Sequence, residues 1–273
     1  MCGLTGWFKP NFPATVDRTQ AAIQLIRRIQ TRGEKGFGVV FIKNEQTRYI
    51  KYPGPFTEWM EANQKLIKAV AQSELLMAHT RQPTAGSISY RNTHPFLVGS
   101  YLCMHNGCIS NGDELMLESA YVALGETDSE KAFCWLADNK FSKESFEKVT
   151  GSIASTSWNY ATNELVLSAD SMSDLEYIKT EAGAIWSSDG ENIKRALKPL
   201  GVETETLYTL KSQIWRLPED KTEEFKRYGY ASIHSKHSSH ESSKNELKSR
   251  LDSEKDKIVK EIGYDGTLET AYD

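Results

Sequence analysis

The spacing of apolar and polar positions divides the first 217 residues into a succession of short elements. Residues 2–8 predict a strand at the start of the chain. Over 15–30, Ala22, Ile23, Ile26 and Ile29 recur at helical spacing, the mark of a one-sided helix. The glycines at 33, 36 and 38 break it and lead into strands at 39–42 and near 48–51. Pro53-Gly54-Pro55 marks a turn. Trp59, Leu66, Ile67 and Val70 predict one further helix. A short strand at 75–78 ends at His79-Thr80-Arg81, and 82–91 has no period and reads as a loop. Residues 97–104 predict one buried strand running into His105-Asn106-Gly107. A helix is expected over 115–124, and another opens at Thr127 or Asp128 as its cap. Four strand-like runs follow at 152–158, 164–169, 175–180 and 184–187. A helix at 193–200 and a strand pair at 206–217 complete the series.

Beyond residue 217 the pattern stops. Residues 219–273 are rich in Lys, Glu, Ser and Asp, with few large apolar residues. Such a segment buries too little apolar surface to offset ordering. The expected organisation is one domain over 1–217 and a polar, flexible tail over 218–273, in which 245–262 forms at most a transient charged helix. His234, His237 and His240 lie in a Ser-rich tract of that tail, read as solvated rather than metal-binding, and no metal is expected.

Net charge changes the picture only by exclusion. At -4 the chain lacks the basic footprint of a nucleic-acid binder. No apolar run approaches the roughly 20 residues of a membrane helix. The first residues carry no basic stretch followed by an apolar one, so a signal peptide is not expected. Cys2, Cys103, Cys108 and Cys134 form no CxxC pair and no zinc spacing. Reduced thiols and a cytoplasmic setting follow, with all but Cys2 expected to be buried structural thiols.

Cys2 stands apart because it follows the initiator Met. Removal of Met1 leaves one residue with a thiol of pKa near 8.5 and an α-amine near 7.7–8.0, a nucleophile carrying its own base. Arg81 and Thr84 lie just past a strand end, where a guanidinium fork suits a carboxylate. Asn106 and the Gly107 N–H suit an oxyanion hole. Asp128 puts a carboxylate at a helix start. Each also has a plain structural reading: a surface arginine, an Asn-Gly turn, an N-cap.

Taken in order, the motifs Cys-Gly-Leu-Thr-Gly, Arg-Gly-x-x-x-x-Gly, His-Thr-Arg-x-x-Thr, Asn-x-His-Pro-Phe, His-Asn-Gly-x-Ile-x-Asn and Thr-Asp-Ser-Glu resemble the class II glutamine amidotransferases over about residues 2–217. The resemblance implies an α+β fold, the four-layer αββα sandwich of N-terminal nucleophile hydrolases. It implies that Cys2 attacks the glutamine amide, with Asn106 and Gly107 as oxyanion donors. Arg81 and Thr84 would hold the substrate α-carboxylate and Asp128 its α-ammonium. Arg32 and Gly33 would order the nucleophile. No cofactor is implied.

Two departures shape the functional expectation. Gln82-Pro83 stands where relatives carry an aromatic after the Arg, in the loop that closes over glutamine. No isomerase, phosphoribosyl-binding or nucleotide-binding pattern follows residue 217. The expectation is therefore a glutaminase that supplies ammonia to a separate synthase subunit. The alternatives are hydrolysis of another γ-glutamyl amide, or an inactive regulatory subunit of the same fold.

Overall fold

The computed structural model describes residues 2–84 and 86–226. Its strands form two antiparallel sheets. The first has the order β11 (Tyr208–Leu210), β9 (Leu175–Lys179), β10 (Ala184–Ser187), β1 (Gly3–Phe8), β4 (Leu75–Thr80), β2 (Phe37–Lys43), β3 (Gln46–Tyr52). The second has the order β13 (Lys221–Glu224), β12 (Gln213–Leu217), β8 (Glu164–Ala169), β7 (Gly151–Asn159), β6 (Tyr101–Ile109), β5 (Phe96–Val98).

The sheets pack face to face over Leu4, Phe8, Val40 and Met77 from one and Leu102, Met104, Trp158 and Leu167 from the other. The outer face of the first sheet is covered by α1 (Arg18–Gln30), α2 (Phe56–Ala62), α3 (Gln64–Ala71) and α7 (Gly190–Leu197). That of the second is covered by α4 (Gly112–Leu117), α5 (Asp128–Asp138) and α6 (Lys143–Lys148). This is the expected αββα sandwich. Central strands are covered on both faces, so β1 and β4 are buried at every position and read as continuous apolar runs rather than alternating ones.

Local chemistry explains the element ends. Asp17 caps α1, its carboxylate accepting from the N–H of Thr19 at 2.8 Å and Gln20 at 3.2 Å. Ala21, Ala22, Leu25, Ile26 and Ile29 form its buried stripe.

Several expectations are corrected. The helix at 59–70 is two helices separated at Asn63, whose φ of -126° and ψ of 42° are not helical. The strand at 97–104 is a hairpin, β5 and β6, which turns at Gly99 with φ +57°. The helix at 115–124 ends at Leu117. Carboxylates of α5 draw off the following N–H groups: Asp138 takes Ala120 at 2.9 Å, and Glu130 takes Leu124 at 3.0 Å and Gly125 at 2.7 Å. The strand pair at 206–217 is no pair, because β11 joins β9 in the first sheet and β12 joins β8 in the second. Past residue 217, β13 adds an edge strand, and Phe225 is buried, stacked on Phe146 at 5.3 Å. Residues 227–273, with the three tail histidines, lie outside the described residues.

Candidate active site

Cys2 immediately precedes β1, which lies between β4 and β10 in the first sheet. Its partly exposed thiol meets the backbone just past the end of β4. The Gln82 N–H donates to Cys2 Sγ at 3.3 Å, and Sγ lies 3.5 Å from the Gln82 carbonyl. Burial pushes the thiol pKa up. The Gln82 N–H, the positive chain terminus and Arg81 oppose that rise, and Asp128 adds to it. The thiol therefore depends on nearby donors and cations for its anionic form.

The peptide that faces the sulfur is itself fixed. Arg81 N–H donates to Gly36 O at 2.7 Å, and Lys35 N–H to Arg81 O at 2.9 Å. Gly33 lies directly against it: a Cβ there would fall 2.5 Å from Arg81 C and 2.6 Å from Gln82 N. Only glycine permits that approach. Arg32 reaches the Cys2 segment less directly. Its Nη1 donates to Ser188 O at 3.0 Å, while Ser188 N–H donates to Leu4 O at 2.8 Å and Ser188 Oγ accepts from Leu4 N–H at 3.1 Å.

Asn106 and Gly107 come from the other sheet. They do not form a turn but lie within β6, paired with Ala154 and Ile153. Asn106 Nδ2 donates to the Cys2 carbonyl at 3.0 Å, which ties the second sheet to Cys2. Gly107 has φ +138°, and a Cβ there would fall 2.1 Å from Ser152 O, so no side chain fits. His79 and His94 are buried nearby with their rings 3.9 Å apart, and buried His105 faces α5, its Nδ1 2.8 Å from Ser129 Oγ. Burial lowers His79 to about 3 and keeps its imidazole neutral.

Arg81 and Asp128 lie within electrostatic range of the thiol. Arg81 is buried, with Nη1 donating to Ser87 O at 2.9 Å and Nη2 to Gly86 O at 3.3 Å. Asp128 opens α5, and its Oδ2 accepts the Ile109 N–H at 2.7 Å. The neighbouring Thr127 caps the helix, accepting from Glu130 N–H at 3.2 Å. Cys2, Arg81 and Asp128 are close enough for their charges to act on one another. Thr84 is exposed in the 82–91 loop.

Several contributors escaped the sequence reading. Gln82 acts through its main chain, which no side-chain pattern marks. Ser188, Asn92 and Glu126 hold site segments from far along the chain. Asn92 stood inside a recognised motif, and Glu126 directly precedes another. Cys108, expected to be buried, is exposed, while Cys103 and Cys134 are buried, and all four thiols are free. Among the described residues no group of His, Cys, Asp or Glu forms a metal-ligand cluster, and no helix is long and apolar enough to cross a membrane. An open cleft of about 510 Å³ is lined by residues of α6, β12 and β13, including Lys143, Glu144, Arg216 and Glu223. It shares no residue with the Cys2 site.

A family model for class-II glutamine amidotransferases matches residues 1–168. A glutamine–fructose-6-phosphate aminotransferase of Acinetobacter baylyi is 33% identical over 137 residues, 48% of this chain and 20% of that protein. An uncharacterised protein of Methanocaldococcus jannaschii is 33% identical over 124 residues, 42% of this chain and 34% of the relative. These alignments span about a third or less of either relative's length. The solved glutamine phosphoribosylpyrophosphate amidotransferase from B. subtilis shares the fold with a TM-score of 0.64 at 18% identity, over 83% of this chain and 50% of that one.

Proposed function

Because this chain belongs to the class-II glutamine amidotransferases, we propose that it hydrolyses the side-chain amide of glutamine through Cys2 and hands the ammonia to a separate synthase subunit. The observation that carries the reading is the convergence on Cys2: the Gln82 N–H on its sulfur, Asn106 on its carbonyl, and Arg81 and Asp128 in electrostatic reach.

Removal of Met1 frees the Cys2 α-amine. The neutral amine takes the thiol proton, and the thiolate attacks the amide carbon of glutamine. The negative charge moves to the amide oxygen, where the Gly107 N–H and the Asn106 amide receive it. The C–N bond then breaks, the ammonium of Cys2 returns its proton to the leaving nitrogen, and ammonia departs. A γ-glutamyl thioester remains. Water, deprotonated by the same amine, attacks it and releases glutamate and the thiol. Arg81 and Thr84 hold the α-carboxylate and Asp128 the α-ammonium, which places the amide at the sulfur. Arg32 and Gly33 order the segments around the nucleophile. The chemistry needs no cofactor.

Gln82 is exposed where the resembling families carry an aromatic. That favours one second reading, hydrolysis of a bulkier γ-glutamyl amide at the same site. Glutamate release from glutamine and from bulkier γ-glutamyl amides tests both, with intact mass used to verify loss of Met1. Preferred turnover of glutamine supports the first reading, and preferred turnover of a bulky amide supports the second. No turnover of any of them by protein that starts at Cys2 overturns both and leaves an inactive regulatory subunit.

A further inference from the structure

The loop over 82–91 is held by more than Arg81. Glu126, two residues before α5, accepts from Ser87 N–H at 3.0 Å, from the Ser87 hydroxyl at 3.3 Å and from Asn92 Nδ2 at 2.9 Å. Asn92 returns the contact, its Oδ1 accepting from Glu126 N–H at 2.9 Å. Asn92 Nδ2 also donates to Ser87 O at 3.1 Å. From the other side Arg81 donates to the carbonyls of Ser87 and Gly86. Ser87 is thus clasped from two directions, by a carboxylate on its N–H and a guanidinium on its carbonyl.

The segment that carries Glu126 is anchored in turn. Buried Glu130 accepts from Leu124 and Gly125 N–H, and Asn92 is itself buried. Hydrogen bonds to an ionised acceptor are stronger than neutral ones, and here one carboxylate receives three. Glu126 is exposed, and no step of the proposed hydrolysis uses it.

We propose that Glu126 is a positioning residue that latches the 82–91 loop and, through Ser87, aims the Arg81 guanidinium, so that the amino-acid end of the pocket is assembled before any ammonia acceptor is engaged. The inference rests on Arg81 as the carboxylate anchor. A pocket assembled in only a fraction of molecules loses apparent affinity by that fraction. Loss of the latch therefore appears in KM.

The test uses Glu126→Ala and Glu126→Gln in the full chain. Glu126→Ala is expected to raise KM for glutamine about tenfold with kcat nearly unchanged, the signature of a lost pre-assembled population. Glu126→Gln keeps a side-chain oxygen for the Ser87 N–H and is expected to restore most of the affinity. Amide hydrogen exchange over 86–91 should quicken in Glu126→Ala and stay near wild type in Glu126→Gln. Alkylation of Cys2 by iodoacetamide, which has no amino-acid end, should be the same in all three proteins. Wild-type exchange and KM in Glu126→Ala overturn the latch, as does a fall in kcat at constant KM. If the wild-type protein does not hydrolyse glutamine, the proposed function fails on its own. The exchange arm then decides the latch, since quickened exchange supports it and unchanged exchange overturns it.

Discussion

The two ends of the site are built differently. The reacting end stands on sheet: Cys2 directly precedes β1, which is paired on both sides, and Asn106 and Gly107 lie inside β6, paired with Ala154 and Ile153 of β7. The recognition end stands on a loop and a helix start. Arg81 and Thr84 lie past β4, Asp128 opens α5, and their surroundings are held by side-chain hydrogen bonds such as those of Glu126 and Asn92. On the proposed mechanism, backbone ladders hold the reacting atoms, and side-chain clasps, which single substitutions alter, hold those that read the substrate. Chemistry and specificity are thus separable by mutation.

The largest effect expected on this division is Cys2→Ala. Turnover should vanish, because removing the nucleophile of a covalent mechanism leaves nothing for the other groups to act on. The fold should persist, since the sulfur is partly exposed. Circular dichroism and ammonia assays check both halves, and a diazo-ketone analogue of glutamine should label Cys2 and spare exposed Cys108. Residual turnover near wild type would remove Cys2 from the chemistry.

Next comes the recognition end. Arg81→Ala or Asp128→Ala removes one partner of a desolvated charge contact, a loss of about 2–5 kcal/mol. That is roughly 30- to 4,000-fold in kcat/KM, expected mainly in KM. Unchanged steady-state kinetics in both variants would erase the distinction between the two ends.

Asn106→Ala should act on the other parameter. Loss of one oxyanion donor costs about 2.7–4 kcal/mol, or roughly 100- to 1,000-fold in kcat, with little change in KM. A rise in KM alone would move Asn106 to the recognition end. Its bond to the Cys2 carbonyl makes one control necessary, that alkylation of Cys2 remains possible in the variant.

The smallest effect concerns stability beneath the recognition end. Lys51 sits over the Phe96 ring at 5.2 Å, and burial lowers its pKa to about 8, with Glu130 opposing the fall and Arg81 adding to it. Below pH 8 both folded and unfolded states carry the proton, and the folded state bears the cost of burying it. Between about 8 and 10.5 the unfolded chain holds more protons, so this contribution to stability rises with pH. Lys51→Met should therefore stabilise the protein at pH 7 by on the order of 3 kcal/mol, and far less near pH 10.5. Denaturant unfolding at the two pH values measures the difference, and an equal gain at both would place the effect in packing instead.

The same contrast governs what could be read from sequence. The fold was legible where one segment carries its own signal, as in the short runs of β1 and β8 and the helical stripe of α1. Cys2, Arg81, Asn106 and Asp128 were legible because short motifs carry them. What failed depended on partners remote in sequence. Nothing in 206–217 tells that β11 and β12 part to different sheets. Nothing in 115–124 tells that Glu130 and Asp138 will capture its N–H groups. Glu126 resembles any exposed glutamate until Ser87, 39 positions away, is folded beside it.

The placement of β1 also sets an order in time. Leu4 is fastened to Ser188, 184 positions further on, and β1 is closed on one side only by β10. During synthesis the segment next to Cys2 emerges early and must wait until the chain has grown past residue 188 before its strand is enclosed. Contacts of such long range form slowly. A nascent or truncated chain ending before β10 therefore carries Cys2 and β4 but leaves one edge of β1 unpaired. Leu4, two residues past the thiol, gains its last backbone partner only when nearly the whole domain has been made.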